Sequence, residues 1–261
     1  MRCLTRRLAA CVLLVVPVLG QAHFQELIPP FAIATDETGR QLSLDIRFTH
    51  PMANGPVMAM GKPERLGVVT PSGREELTGE LEPRRIDGKR AYTADYTLSQ
   101  PGDHRFYLAP APYWEPSEGV MIQHFTKVVV NAFGRETDWG QPVGLPVEIV
   151  PLTRPYGLWT GNVFRGRVIR DGDPVAHARV EVEWRNDGSI KAPAPAFTTQ
   201  VVRADADGVF SYAMPRAGWW GFSALVEADE PVENPDGKAV PLEQGGLIWV
   251  HTRDMTAAKT E

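Results

Sequence analysis

Residues 120–131, Val-Met-Ile-Gln-His-Phe-Thr-Lys-Val-Val-Val-Asn, form the stretch that decides the fold. The stretch contains neither glycine nor proline and is rich in β-branched side chains, which favour extended structure. We therefore predict that it forms a central strand of a sheet, with His124 in the strand interior. A histidine at such a position needs a polar partner, because burying an imidazole without one is costly.

Shorter strands are predicted on both sides of this central strand. Residues 41–48, 91–98 and 178–184 alternate polar and apolar side chains, which is typical of half-buried strands. The 24 glycines and 23 prolines interrupt the chain at short intervals, and helical periodicity is scarce after residue 22. These patterns predict an all-β protein.

We predict two consecutive β-sandwich domains. The first spans residues 23–147 and has strand and turn patterns that recur in immunoglobulin-like domains. A linker-like strand at 148–156 leads into the second domain, residues 148–252, in which a turn with Asp-Gly is repeatedly followed by an alternating strand. The last nine residues, 253–261, are expected to fray.

The first 22 residues have the three parts of a secretory signal peptide. Arg2, Arg6 and Arg7 precede an apolar run from Leu8 to Leu19, and Gly20-Gln21-Ala22 supplies small residues before the predicted cut. The apolar run is too short for a membrane-spanning helix, although an uncleaved anchor is the alternative. We expect a periplasmic product with no stable membrane insertion after cleavage.

Composition narrows the function further. Both cysteines, Cys3 and Cys11, lie in the predicted signal peptide, so the mature chain would have neither a disulfide nor a thiolate ligand. Removing three of the 27 basic residues leaves 24 against 32 acidic ones, a net charge of −8, which argues against a nucleic-acid partner. The chain has no phosphate-binding loop, no Gly-x-Ser-x-Gly and no His-Glu-x-x-His motif, and we expect no enzymatic activity.

Three of the six histidines are candidate metal ligands. Cleavage after Ala22 would make His23 the first residue, which offers its α-amine and ring Nδ1 to one cation along a short covalent path. His50 stands at the end of a predicted strand, and His124 interrupts the central strand. A single histidine is more often a hydrogen-bonded core residue, but three in a cysteine-free exported domain favour a site for Ni, Cu or Zn.

Two further groups offer alternative ligands. Met52, Met58 and Met60 lie close to His50 and would suit Cu(I) as thioethers, although apolar packing under a loop explains them better. The carboxylates of Glu115 and Glu118 would reach the metal if their proline-containing loop bends toward it. We interpret them instead as part of a solvated turn.

The remaining polar and aromatic motifs are interpreted as structural. We predict a turn rather than a calcium loop at residues 205–208, and packing rather than sugar binding at Tyr113-Trp114 and Trp219-Trp220. The other histidines receive no function: His104 is placed at a strand edge, His177 in an exposed loop and His251 at the end of the last strand.

Several separate motifs resemble one bacterial exported family. They are residues 22–29, 48–52, 112–116, 123–127, 151–157 and 215–222. The family is often described as a periplasmic component of nickel or cobalt uptake, and otherwise as a domain of unknown function. The resemblance covers nearly all of the mature chain and implies that His23, His50 and His124 are Ni(II) ligands. It also implies a second half similar to transthyretin-like or carboxypeptidase-regulatory-like sandwiches.

We therefore expect a periplasmic protein that captures Ni(II), or Co(II), for a membrane permease of the energy-coupling type. Metal binding should weaken below about pH 6.5, because protonated imidazole cannot ligate. Copper binding is the alternative, either in a histidine-first copper oxygenase that acts on polysaccharide or in a copper chaperone. A structural adhesion module without metal is a further alternative.

Overall fold

The computed structural model describes residues 22–257, so most of the predicted signal peptide and the end of the predicted tail lie outside the described part. The strands of the first half are β1 Phe24–Ile28, β2 Ile33–Ala34, β3 Gln41–Thr49, β4 Val57–Met58, β5 Arg65–Thr70, β6 Gly73–Glu76, β7 Glu82–Ile86, β8 Lys89–Thr97, β9 Gly102–Ala109, β10 Tyr113–Glu115 and β11 Val120–Ala132.

The second half adds eleven more strands. They are β12 Val147–Pro151, β13 Leu158–Trp159, β14 Val163–Arg170, β15 Asp173–Pro174, β16 Arg179–Trp184, β17 Gln200–Arg203, β18 Val209–Ala213, β19 Gly218–Glu227, β20 Val232–Glu233, β21 Ala239–Val240 and β22 Leu242–Arg253. Two short 3-10 turns occupy Thr78–Glu80 and Pro195–Phe197. Among residues 22–257, no helix is long and apolar enough to cross a membrane.

The strands form one large sheet, two smaller layers and a two-stranded sheet of β20 and β21. The large sheet has the order β17-β16-β19-β22-β11-β9-β5-β6, a five-stranded sheet follows β1-β3-β8-β7 with β4 on β3, and a four-stranded sheet follows β12-β14-β15 with β18 on β14. The predicted all-β class is therefore confirmed. The predicted central strand is β11, which pairs antiparallel with β9 and parallel with β22.

One strand serves two hydrophobic cores. Along β22, Leu247 and Trp249 face the core between the large sheet and the five-stranded sheet. Ile248 and Val250 face the core between the large sheet and the four-stranded sheet. This follows from the two-residue side-chain period of a strand. The large sheet therefore runs across the boundary that we predicted at residue 148, and the division into two domains stays a prediction.

Packing of β1 on the large sheet positions the candidate site. The β1–β3 register pairs Phe24 with Thr49, so the residue before β1 and the residue after β3 lie side by side. The carbonyl oxygen of Gln25 accepts hydrogen bonds from Trp249 Nε1 at 3.0 Å and Thr126 Oγ1 at 3.2 Å. These two bonds fix the start of β1 above β11 and β22.

Candidate metal centre

His23 and His50 are direct neighbours in the folded chain. His23 precedes β1 and His50 follows β3, and their ring centroids are 4.6 Å apart. Both side chains are buried. The structure therefore brings together two of the three predicted ligands, at the point where the predicted cut would create a new N-terminus.

His124 approaches the same region from β11. Its ring and that of His23 share one aromatic neighbour, Phe48, with centroid distances of 6.0 Å to His124 and 5.5 Å to His23. His124 is only 2% exposed. The third predicted ligand therefore lies near the His23–His50 pair without stacking on it.

Each of the three rings has one nitrogen within hydrogen-bond distance of an oxygen acceptor. His23 Nε2 lies 3.2 Å from Glu115 Oε2, His50 Nδ1 lies 2.8 Å from the carbonyl oxygen of Ala22, and His124 Nε2 lies 3.1 Å from Glu243 Oε1. Carbonyl oxygens and ionised carboxylates only accept hydrogen bonds, so a neutral ring must donate to them. The proton positions follow from these partners.

The opposite nitrogen of each ring therefore carries a lone pair. These nitrogens are His23 Nδ1, His50 Nε2 and His124 Nδ1, and residues 22–257 provide no hydrogen-bond partner for any of them. Nδ1 of His23 is also the ring nitrogen that can chelate together with an α-amine. Each of these nitrogens could ligate a metal while its ring is neutral.

Burial keeps the paired rings neutral. Burial, followed by the proximity of His50 and His124, lowers the pKa of His23 to about 4. Burial also lowers the pKa of His50. The lowered pKa of His23 indicates that this ring stays neutral at pH 6.5, and the expected loss of metal binding below that pH stays a prediction.

The carboxylates that face the rings are held ionised. Burial opposes ionisation of Glu115, but hydrogen bonds from the Ser117 hydroxyl and backbone N–H, together with His23, lower its pKa. Burial likewise opposes ionisation of Glu243, and the hydrogen bond from His124 lowers its pKa. Both carboxylates therefore act as acceptors.

Sequence reasoning undervalued Glu115 and missed Glu243. Glu115 ends β10, which pairs with β11, and it is buried against His23 rather than part of a solvated turn. Glu243 lies in β22, which begins at Leu242. Glu243 and His124 are 119 positions apart in the sequence, so no local sequence pattern predicts their contact.

The donor atoms fit a metal only if the α-amine of His23 is free. No three His, Asp or Glu side chains in the described part of the chain are grouped so that they could hold a metal ion. The α-amine of His23, however, is not a side chain and would exist only after cleavage. The residues therefore fit a site completed by a free N-terminus, and they do not fit a site built from three side chains alone.

The alternative ligands do not gather at one site. Met58 and Met60 pack in the core under the five-stranded sheet, whereas Met52 packs against the other core. The turn at 205–208 is held by Asp205 Oδ1, which accepts from the backbone N–H groups of residues 207 and 209. This is local turn chemistry.

The other histidines lie elsewhere. His104 is fully buried in β9, between β5 and β11, so our placement of it at a strand edge is wrong. His177 is exposed, and His251 packs edge-on against Trp219 with centroids 4.9 Å apart.

Residues 20–228 match a protein family described as Domain of unknown function (DUF4198). The chain belongs to this family. The description assigns neither nickel nor cobalt to the family, so that part of the resemblance remains a proposal. No curated protein matches the chain.

The chain also has distant similarities to solved structures. A bacterial ice-binding adhesin is 11% identical, with 91% of this chain and 66% of that chain covered and a TM-score of 0.25. The D0-D1 domain of intimin is 12% identical, with coverages of 88% and 100% and a TM-score of 0.21. The fibronectin(III)-like modules of Clostridium thermocellum CbhA are 12% identical, with coverages of 91% and 100% and a TM-score of 0.20. These similarities carry no functional argument.

Proposed function

We propose that the mature protein is a periplasmic metal-binding protein that captures Ni(II), or Co(II), at its N-terminus for a membrane uptake system. One observation carries the proposal. The rings of His23 and His50 lie 4.6 Å apart at the predicted cut, and Glu115 accepts from His23 Nε2, which leaves Nδ1 of His23 unpartnered within residues 22–257.

The donors are all nitrogens. The α-amine and Nδ1 of His23 would form a chelate, with His50 as the next ligand and Nδ1 of His124 nearby. Imidazole and amine nitrogens suit Ni(II), Cu(II) and Zn(II). Glu115 supports the set from behind His23, because a carboxylate that accepts from a ligating histidine fixes its ring orientation and raises its basicity.

Cleavage would act at the centre of this site. The carbonyl that His50 contacts belongs to Ala22, and the carbon of that carbonyl is bonded to the backbone nitrogen of His23. Hydrolysis would remove Ala22, turn this nitrogen into the α-amine and leave Nδ1 of His50 without its acceptor. The new donor would therefore form beside the His50 ring without any rearrangement of β1 or β3.

Titration calorimetry with Ni(II) tests the proposal. We expect one ion to bind to the chain that starts at His23, and we expect the heat to disappear in His23→Ala. A chain that retains Ala22 should bind at least about 100-fold more weakly, because its backbone nitrogen cannot ligate. His177→Ala, which removes an exposed histidine, is the matched control and should bind like the wild type. A wild-type chain with no more heat than His23→Ala would overturn the proposal.

Copper is the second candidate, and the all-nitrogen donor set favours it. Such sites bind Cu(II) more tightly than Ni(II), so affinity alone does not separate the two metals. A histidine-first copper oxygenase would release oxidised products from chitin or cellulose in the presence of Cu(II) and a reductant. A metal-capture protein would release none. The separation of Met52 from Met58 and Met60 gives no support to a Cu(I) chaperone.

A further inference from the structure

We infer that the second half of the chain is part of the metal centre, because Glu243 and Gly245 of β22 position His124 for ligation. Glu243 determines which ring nitrogen of His124 is left without a proton, and Gly245 leaves room for the ring. The metal-binding part of this inference rests on the proposed function, whereas the protonation pattern of His124 is a property of the metal-free protein.

The register of the sheet places these residues together. β22 runs parallel to β11, with Gly245 paired to His124 and Glu243 paired to Ile122. Residues two apart on a strand face the same side of a sheet, so Glu243 and His124 project from the same face. The measured contact agrees, with Glu243 Oε1 3.1 Å from His124 Nε2.

The carboxylate selects one tautomer of His124. An ionised carboxylate accepts hydrogen bonds and cannot donate them, so the neutral ring must carry its proton on Nε2. Nδ1 is then a bare lone pair, and this atom is buried with no hydrogen-bond partner among residues 22–257. An unsatisfied buried polar atom calls for an explanation. A ligand position at Nδ1 is the explanation that we infer.

Gly245 fits the ring by having no side chain. A Cβ atom at Gly245 would lie 2.4 Å from His124 Cδ2 and 2.9 Å from its Cγ and Nε2. The backbone of Gly245 is not in the left-handed region, so alanine is acceptable to the chain itself. Gly245→Ala would therefore act mainly by displacing the His124 ring.

Nitrogen-15 NMR of the metal-free protein tests the tautomer directly. We expect His124 to be protonated on Nε2 in the wild type. In Glu243→Gln the amide can either accept from Nε2–H or donate to a bare Nε2, so the strict preference for Nε2 should be lost and the form protonated on Nδ1 should become populated. Glu227→Gln is the matched control. Glu227 is an exposed glutamate of β19 that pairs with Glu243 of β22, and its substitution should leave the His124 signals unchanged. A wild-type proton on Nδ1, or an unchanged tautomer in Glu243→Gln, would overturn the inference.

Nickel affinity supplies the second readout. Glu243→Gln should weaken Ni(II) binding by about 10- to 100-fold, the usual effect of losing such a supporting carboxylate, while Glu227→Gln should match the wild type. Gly245→Ala should also weaken Ni(II) binding. Gly79→Ala should not, because a Cβ at Gly79 would have no atom within 4 Å. Thermal unfolding of each variant checks that it folds.

The two hypotheses fail in different ways. A wild-type protein that binds no Ni(II) would remove the proposed function, and the NMR experiment would still decide the role of Glu243. Normal Ni(II) affinity in both Glu243→Gln and Gly245→Ala would remove the second half from the metal centre and leave the His23–His50 site intact.

Discussion

The acceptors opposite His23 and His124 decide which of their ring nitrogens are available to a metal. Glu115 and Glu243 each accept from one ring nitrogen and leave the other one bare, whereas the acceptor of His50, the carbonyl of Ala22, would be lost on cleavage. The sequence indicates histidines but not tautomers, because a tautomer depends on partners that only the fold supplies. Candidate ligands were therefore predictable from the sequence, and their chemical state was not.

A single glutamate should make stability depend on pH. Glu183 accepts from the backbone N–H of Met52 at 2.9 Å and from the Thr199 hydroxyl at 2.6 Å. Burial raises the pKa of Glu183 from 4.5 to about 8, although those two hydrogen bonds oppose the shift. Between these two values the folded chain binds more protons than the unfolded chain at this group, so this contribution to stability is complete below pH 4.5 and is lost as the pH rises through 8.

We compare the free energy of unfolding of Glu183→Gln with that of the wild type. The difference, variant minus wild type, should therefore be larger at pH 8 than at pH 5. Urea unfolding at both pH values measures the difference. The exposed substitution Glu227→Gln should show the same stability change at the two pH values. If the Glu183→Gln change were also the same at both pH values, this account of Glu183 would be wrong.

At the scale of single strands, alternating polar and apolar residues and runs of β-branched residues predicted the strands that are buried on at least one face. The patterns at 41–48, 91–98 and 178–184 correspond to β3, β8 and β16. β6 and β7, Gly73–Glu76 and Glu82–Ile86, were not predicted, because most of their side chains are exposed or charged and show no apolar face.

The start of β22 is hard to predict from sequence for a different reason. Gly245 and Gly246 interrupt the strand pattern, and glycine inside a strand normally indicates a bulge or a turn. Here both positions are sites of close approach. The His124 ring packs on Gly245, and the backbone of residues 147 and 148 would lie 2.8 Å from a Cβ at Gly246. Only contacts distant in sequence explain these glycines.

A buried ion pair joins β11 to β12. Lys127 Nζ donates to Glu148 Oε1, both side chains are 1% exposed, and Glu148 also accepts from the backbone N–H groups of residues 143–145. Removing one partner leaves the other charge buried without its counter-ion, which typically costs 3–5 kcal/mol.

We therefore expect Lys127→Met to lower the free energy of unfolding by about 3–5 kcal/mol, as measured by urea denaturation. The double variant Lys127→Met/Glu148→Gln should recover part of this loss, because it no longer buries an unpaired carboxylate. A loss below about 1 kcal/mol in the single variant would show that the pair is unimportant for stability.

At the scale of the whole molecule, the shared strand β22 matters most. It supplies Leu247 and Trp249 to the core of the first half, and it pairs with β11 from Met121 to Val128. The sequence predicts two sandwich units, because each half has its own strands and turns. A strand that serves both halves has no signature in local sequence.

A fragment of residues 23–147 should therefore fail to fold alone. It would lack β22, expose one edge of β11, and lose both Trp249 and the partner of Lys127. We expect narrow amide dispersion in its proton–nitrogen NMR spectrum, compared with wide dispersion for residues 23–257. A well-dispersed spectrum of the fragment would establish the first half as an independent domain.

Native mass spectrometry of the protein purified from the periplasm tests the central claim most directly, because one mass reports both the first residue and any bound ion. We predict a chain that begins at His23 and carries one transition-metal ion, with the ion absent from His23→Ala. A chain that begins at another residue, or a His23-first chain without metal after incubation with Ni(II), would contradict the account.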